Sequence, residues 1–177
     1  MLGYASAAVA LVTGSAAVMG VASFLRLSGR AAGCKAAWEK VAGLLDRRRR
    51  LLKELTRVLS VLHLDAEVTL SRMWEASREA ERSTTPASRS RAERVVQSCL
   101  LTLFDILDGV DGAVWAGAGG LRESIERLEG DIQCARLRYN AAVRAYNAEL
   151  ATVHGRLVGW LARMRPMEYF ELRPTGM

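Results

Sequence analysis

Apolar side chains recur at alternating steps of four and three residues through the last third of the chain. Such steps, running from Leu121 to Val153, place one apolar or aromatic side chain on the same helix face at every turn. The pattern predicts a long helix that packs along its length against other helices. The positions on this stripe are Leu121, Ile125, Leu128, Ile132, Ala135, Tyr139, Ala142, Tyr146, Leu150 and Val153.

The same rhythm earlier in the chain predicts two further long helices. From residue 35 to about residue 82 there is no Pro and only one Gly, which predicts one helix, loosened near residues 60–65. Pro86 suits a first helical position, and Ser90 with Glu93 resembles a capping box at the start of the next helix. A break is predicted at residues 117–120, and a short fourth helical piece over residues 157–164. The predicted fold is an all-α, antiparallel up-and-down bundle. The first stripe holds Trp38, Val41, Leu45, Leu52, Leu55, Leu59, Leu62 and Ala66, and the second Val95, Val96, Cys99, Leu100, Leu103, Ile106 and Leu107.

The N-terminal stretch, residues 3–25, carries no charged side chain. As a helix it would be about 35 Å long, which is enough to cross a bilayer. A cleaved signal peptide would need a basic leading region, and a lipoprotein site at Cys34 is separated from the apolar run by Arg26 and Arg30. The sequence therefore favours an uncleaved membrane anchor over residues 1–30, followed by a helical domain over residues 31–177.

Charge around this stretch predicts its orientation. No Lys or Arg precedes it, whereas Arg26, Arg30 and Lys35 follow it closely. The positive-inside rule then places the N-terminus outside the cell membrane and the bundle in the cytoplasm. The expected protein crosses the membrane once and contacts the lipid bilayer through residues 3–25.

The overall charge is basic, with 25 Lys and Arg against 19 Asp and Glu. This balance is compatible with nucleic acid, anionic lipid or no specific partner. Four successive arginines begin at Arg47, but consecutive helical side chains point about 100° apart and cannot form one flat basic face. Arg48 even falls on the apolar stripe. A solvated, partly ion-paired surface is the favoured interpretation, and an anionic partner is the alternative.

The sequence offers no constellation of catalytic or metal-binding residues. His63, Asp65 and Glu67 would diverge on a helix, because steps of two residues turn the side chain by about 200°. Cys34, Cys99 and Cys134 lack metal-ligand spacing and stand among apolar neighbours, which predicts small core residues. We therefore expect no enzyme activity, no cofactor and no metal.

Two Tyr-Asn pairs, one heptad apart, are the most specific pattern in the chain. Together with their neighbours they resemble the LemA family of membrane-anchored helical proteins, whose pattern reads E-x-x-I-x-x-A-R-x-x-Y-N-x-x-V-x-x-Y-N. A second stretch resembles that family's A-W-x-x-I-x-x-x-L-x-R-R pattern, and the ending Tyr169-Phe170-Glu171 is also similar. The matching residues of interest are Trp38, Arg47, Arg48, Glu129, Arg136, Tyr139, Asn140, Tyr146 and Asn147.

The pairs have a structural and a functional interpretation. In the first, Tyr139 and Tyr146 fill the core, while Asn140 and Asn147 bond neighbouring helices and fix their register. In the second, the pairs form a docking ridge for a partner. The family resemblance implies a non-enzymatic scaffold or interaction protein of the bacterial cell envelope, with an unknown protein partner or a second copy of itself. The alternative is a membrane-bound protein that binds nucleic acid or anionic lipid through basic surface residues, although no specific nucleic acid is expected.

Overall fold

The computed structural model describes residues 2–62, 65–109 and 119–172, with side chains from residue 18 onward. Within these ranges the chain forms five α-helices and no strand. The all-α class is therefore confirmed. A C-terminal segment without regular secondary structure, residues 164–172, follows the last helix. The helices are α1 (Leu2–Val61), α2 (Glu67–Arg82), α3 (Pro86–Asp108), α4 (Gly119–Ala151) and α5 (Val153–Leu161).

The prediction of one helix over residues 35–82 is wrong, because α1 ends at Val61 and α2 begins at Glu67. Met73 and Ala76 of α2 share one apolar core with Leu55 and Leu59 of α1. An unbroken helix would carry Met73 some 27 Å along the axis from Leu55 at about 1.5 Å per residue. The loosening expected near residues 60–65 is thus a complete break, which lets α2 return to the core.

The start of α3 is fixed by a reciprocal cap one turn earlier than the predicted one. Thr85 is the N-cap and accepts a hydrogen bond from the Ser88 amide at 3.2 Å, while the Ser88 hydroxyl accepts from the Thr85 amide at 3.3 Å. Pro86 stands in the first turn, as expected. The predicted capping box of Ser90 and Glu93 is wrong, since both side chains lie inside the helix and are buried.

The boundary between α4 and α5 is set by Thr152. Its hydroxyl donates to the Glu149 carbonyl at 2.8 Å and accepts from the Gly155 amide at 3.0 Å. This local bonding competes with the helical ladder and ends α4 at Ala151. The helix was expected to continue to residues 154–155, and the short fourth piece to begin at residue 157; α5 instead begins at Val153.

The chain divides into two compact units, and α1 and α4 contribute residues to both. The first unit comprises residues 1–37 and 141–167, and the second residues 38–140 and 168–177. Leu27, Val143 and Tyr146 are buried in the first unit. The main apolar core lies in the second unit. It contains Leu52, Leu55, Leu59, Ala66, Met73, Ala76, Val96, Cys99, Leu100, Leu103, Phe104, Leu107 and Ile125.

Most of the stripe predicted for α4 is buried, with three exceptions, the first of which is Leu121, which is only partly buried. Val143, and not Ala142, takes the fully buried position between the two tyrosines, and Val153 belongs to α5 and is exposed.

Among the cysteines, Cys34 and Cys99 are buried, and burial raises the pKa of both thiols. Cys134 is exposed, so its assignment to the core is wrong. It stands two residues after Ile132, about 200° around the helix from the buried stripe.

Among the described residues, no helix is long and apolar enough to cross a membrane. The predicted anchor, residues 3–25, lies mostly outside the residues whose side chains the structure describes. The division into an anchor over residues 1–30 and a bundle over residues 31–177 stays a prediction.

Two exposed glycines in helix interiors provide a test of these elements. A Cβ atom added at Gly43 of α1 or Gly130 of α4 would meet nothing within 4 Å. We expect Gly43→Ala and Gly130→Ala each to raise the free energy of unfolding by about 0.5–1 kcal/mol, because Ala restricts the unfolded chain without a clash. Urea unfolding of the purified full-length protein would measure the change.

Gly155→Ala is the matched contrast, because its Cβ would lie 2.8 Å from Thr152 Oγ1 and collide with the Glu149 carbonyl. This substitution should speed amide hydrogen exchange in α5. Lower stability for both exposed-site variants would contradict the assignment of residues 43 and 130 to helix interiors.

Candidate functional site

Arg48 is a fully buried cation in the second unit, with 2% of its side chain exposed. It lies on the apolar stripe of α1, between the buried residues Leu45 and Leu52. Its guanidinium donates one hydrogen bond to the Glu93 carboxylate of α3 and another, of 3.1 Å, to Glu129 Oε1 of α4. A buried charge is tolerated only when it is paired and hydrogen-bonded, and these two carboxylates meet that need.

A second arginine extends the buried pair toward the surface. Arg89 Nε lies 3.6 Å from Glu93 Oε1, and Arg89 Nη2 lies 3.9 Å from Asp46 Oδ1. The Arg89 guanidinium also stands 5.8 Å from the centre of the Trp38 ring, at cation–π distance. The resulting cluster, which we call the ion cluster, consists of Asp46, Arg48, Arg89, Glu93 and Glu129. It joins α1, α3 and α4 at one level.

In the second unit, the first Tyr-Asn pair holds the C-terminal segment. The Tyr139 hydroxyl donates to the Glu168 carbonyl at 2.8 Å. Asn140 bonds both backbone groups of Phe170, donating to its carbonyl at 3.0 Å and accepting from its amide at 2.9 Å. The Phe170 ring packs edge-on against Trp38, with the ring centres 5.4 Å apart. The side-chain amide of Asn140 thus makes the same two hydrogen bonds with the Phe170 backbone that a residue of a neighbouring β-strand would make.

In the first unit, the second pair repeats this geometry. The Tyr146 hydroxyl donates to the Arg165 carbonyl at 3.1 Å. Asn147 donates to the Met167 carbonyl at 2.9 Å and accepts from the Met167 amide at 2.9 Å. Burial raises the pKa of Tyr146, and the nearby Cys34 raises it further, so this phenol remains protonated and able to donate.

The spacing of the two pairs matches the spacing of their partners. The asparagines are seven residues apart on one helix, which is a rise of about 10.5 Å. Met167 and Phe170 are three residues apart, and three residues of extended chain cover about 10 Å. The heptad between Asn140 and Asn147 therefore covers about the same distance as the three extended residues from Met167 to Phe170. We call each set of contacts a rung, named by its asparagine.

The structure brings together some of the predicted site residues and leaves others apart. The prediction that both tyrosines are buried is confirmed, but the asparagines bond the C-terminal segment and not neighbouring helices. Arg47 is exposed, and Arg136 Nε donates to Gln133 Oε1 of its own helix at 2.9 Å. The Arg48 side chain is not part of a solvated basic surface, because its position on the apolar stripe of α1 directs it into the interior.

Sequence reasoning missed the partners of these residues. Glu93 was assigned to a cap, although it falls on the buried face of α3 beside Ala92 and Val96. A carboxylate on the apolar stripe of one helix and an arginine on that of another are together a signal for a buried pair. The sequence contained a weaker indication that Phe170 is part of the core: it is an aromatic residue in a chain that has few aromatic residues. Nothing in the local sequence connects it to Trp38.

Comparison with family models shows which family this chain belongs to. The model described as the LemA family matches residues 37–176. The chain belongs to the LemA family. The matched range contains the ion cluster, both rungs and the C-terminal segment. None of the curated proteins compared with the chain matches it.

Metal chemistry has no candidate site in the described residues. They contain no group of three His, Cys, Asp or Glu side chains that could hold a metal ion. His63 of the trio considered from the sequence lies outside the described residues.

The buried pair predicts a large loss of stability when one carboxylate is removed. Glu93→Gln leaves Arg48 buried with one anionic partner, and we expect the free energy of unfolding to fall by about 3–5 kcal/mol. Glu81→Gln is the control, since Glu81 pairs with Arg49 at the surface and its side chain is about half exposed. That change should cost less than about 1 kcal/mol. Equal urea midpoints for the two variants would refute the buried pair.

The rungs predict local effects that differ between the two asparagines. In Asn140→Ala the Phe170 amide loses its acceptor and should exchange its hydrogen faster, with the Met167 amide less affected. Asn147→Ala should do the reverse. Each variant should also lose about 1–3 kcal/mol of stability from the unpaired buried groups. Residue-resolved hydrogen exchange would measure this pattern, and unchanged exchange at both amides would contradict the rungs.

Proposed function

We propose that this LemA-family protein is a non-enzymatic, membrane-tethered scaffold or interaction protein of the bacterial cell envelope, with its bundle in the cytoplasm. One observation carries the proposal. Most of the polar side chains that match the family pattern serve internal contacts, with Arg48 in the ion cluster and Tyr139, Asn140, Tyr146 and Asn147 in the rungs, whereas Arg47 is exposed. Activity then rests with the exposed surface, which acts by binding an unidentified protein or a second copy of the chain.

The tether is supported by residues at the N-terminal end of α1. The chain carries no charge from residue 3 to residue 25, and α1 continues from Leu2 to Val61 without a break. At the described end of the apolar stretch, Val18, Val21 and Leu25 are exposed. A helix that displays such side chains to solvent is suited to lipid or to a protein partner.

The charge pattern of the second unit favours a scaffold over a nucleic-acid binder. Arg49 pairs with Glu81, Arg122 with Asp108 and Glu126, and Arg127 with Glu123. The Arg122 hydrogen bond lowers the pKa of Asp108, which keeps this carboxylate ionised. Alternating signs limit the number of phosphates that one face can neutralise. The alternative, a membrane-bound binder of nucleic acid or anionic lipid through basic surface residues, is therefore less favoured for this unit.

The orientation and the tether can be tested together in cells. With the full-length chain fused at Met177, a reporter active only in the cytoplasm should work, and one active only outside it should be silent. The fusion should also remain with membranes after alkaline carbonate extraction.

Adding arginines before Leu2 is the matched control, because it should weaken the charge asymmetry and reduce the cytoplasmic signal. The opposite pair of reporter results would overturn the orientation. Release by carbonate would overturn the tether.

A further inference from the structure

Helix α5 turns its apolar stripe toward solvent. The exposed fractions are 79% for Val153, 62% for Leu157, 78% for Trp160 and 69% for Leu161. These positions follow the i, i+4, i+7, i+8 spacing that in a globular helix marks the face packed on the core. Because this stripe includes an exposed tryptophan, it leaves a large area of apolar surface open to solvent.

The opposite face of α5 explains why the stripe points outward. Gly155, Val158 and Gly159 form the buried side. A Cβ atom at Gly159 would lie 2.5 Å from Leu150 Cδ1 of α4. At Gly159 the flexible Leu150 side chain could move aside, but a Cβ atom at Gly155 would collide with the backbone carbonyl of Glu149, so this close contact requires glycine at residue 155. Helix α5 therefore packs through its small residues and leaves its large apolar residues exposed.

Basic residues accompany the exposed stripe without any acidic residue. Between residues 150 and 167 the chain contains Arg156, Arg163, Arg165 and His154, and no Asp or Glu. Arg163 and Arg165 are exposed in the turn and segment that follow α5. This local excess of positive charge contrasts with Arg49, Arg122 and Arg127 of the second unit, each of which pairs with a carboxylate.

The stripe continues onto the end of the predicted membrane segment. Within the first unit, an apolar groove of about 450 Å³ is lined by residues of α1 and α5. Its α1 side is formed by Gly20, Val21 and Phe24, and its α5 side includes Val158 and Leu161. Apolar surface of α5 and of the last turns before Arg26 is therefore contiguous.

We propose that α5 is a membrane-interface helix that sits in the surface of an anionic bilayer. Leu157, Trp160 and Leu161 enter the boundary between headgroups and acyl chains, where tryptophan is favoured, and Arg156, Arg163 and Arg165 contact lipid phosphates. This inference rests on the proposed tether, since residues 3–25 would bring α5 to the same bilayer. A second copy of the chain is a poorer occupant, because a symmetric contact through this face would place arginines against arginines.

An environment-sensitive fluorophore at residue 157 can test this directly. The full-length variant Leu157→Cys/Cys134→Ser offers one exposed thiol among the described residues, since Cys34 and Cys99 are buried. The matched control is Leu101→Cys/Cys134→Ser, which carries the fluorophore on an exposed apolar position of α3. Each protein is reconstituted into phosphatidylcholine vesicles with or without phosphatidylglycerol, and with a nitroxide-labelled lipid as quencher.

We expect the label at residue 157 to be quenched severalfold more than the label at residue 101 when phosphatidylglycerol is present. Adding Arg156→Gln, Arg163→Gln and Arg165→Gln should reduce that quenching toward the level in phosphatidylcholine alone. Equal quenching with and without the anionic lipid would overturn the role of the arginines. A label open to aqueous iodide, or shielded from iodide but not quenched by lipid, would overturn the interface helix; the second result would indicate a protein partner.

Carbonate extraction of the same vesicles separates this inference from the tether. A chain that resists extraction but shows no lipid quenching at residue 157 retains the tether and refutes the interface helix. A chain that is extracted, yet shows quenching before extraction, refutes the tether and supports surface binding by α5. Extraction without quenching refutes both.

Discussion

Burial of the Arg48 guanidinium is the constraint on which the second unit depends. A cation at an apolar stripe position loses its hydration, and that loss must be offset by carboxylates at hydrogen-bond distance. Glu93 and Glu129 supply them from two other helices. Three helices must therefore meet at one level with little freedom to slide. Apolar packing alone tolerates shifts in register far better than a buried charge does.

The rungs likewise supply hydrogen-bond partners to buried polar groups, in this case to the backbone of a segment that forms no helix. Residues 164–172 have no ladder of their own, and their backbone groups need partners where they are buried. Asn140 and Asn147 provide a donor and an acceptor in the geometry of a peptide group. The heptad between them suits the rise of three extended residues. The repeated Tyr-Asn pattern of this chain is thus explained by a requirement of its fold.

These internal roles change where function should be sought. The conspicuous residues of the sequence hold the protein together, whereas the exposed stripe of α5 combines apolar surface with nearby exposed arginines. Gly155 on its inner face leaves no room for a side chain, so the large residues of α5 cannot take that place in the contact with α4. Helix α5 therefore differs from surfaces such as those around Arg49 and Arg122, where carboxylates pair with the arginines.

The sequence by itself determined the helical class, the stripes and the inward position of Arg48, because periodicity follows from local helix geometry. It also placed Tyr139 and Tyr146 in the interior. The partners were decided only by tertiary structure: Glu93 lies 45 residues from Arg48, and Phe170 lies 30 residues from Asn140. The sequence indicated a loosening near residues 60–65, but the start of a separate helix at Glu67 and the outward stripe of α5 escaped prediction for a related reason. A periodic pattern identifies a face, but only the packing of distant segments decides what that face contacts.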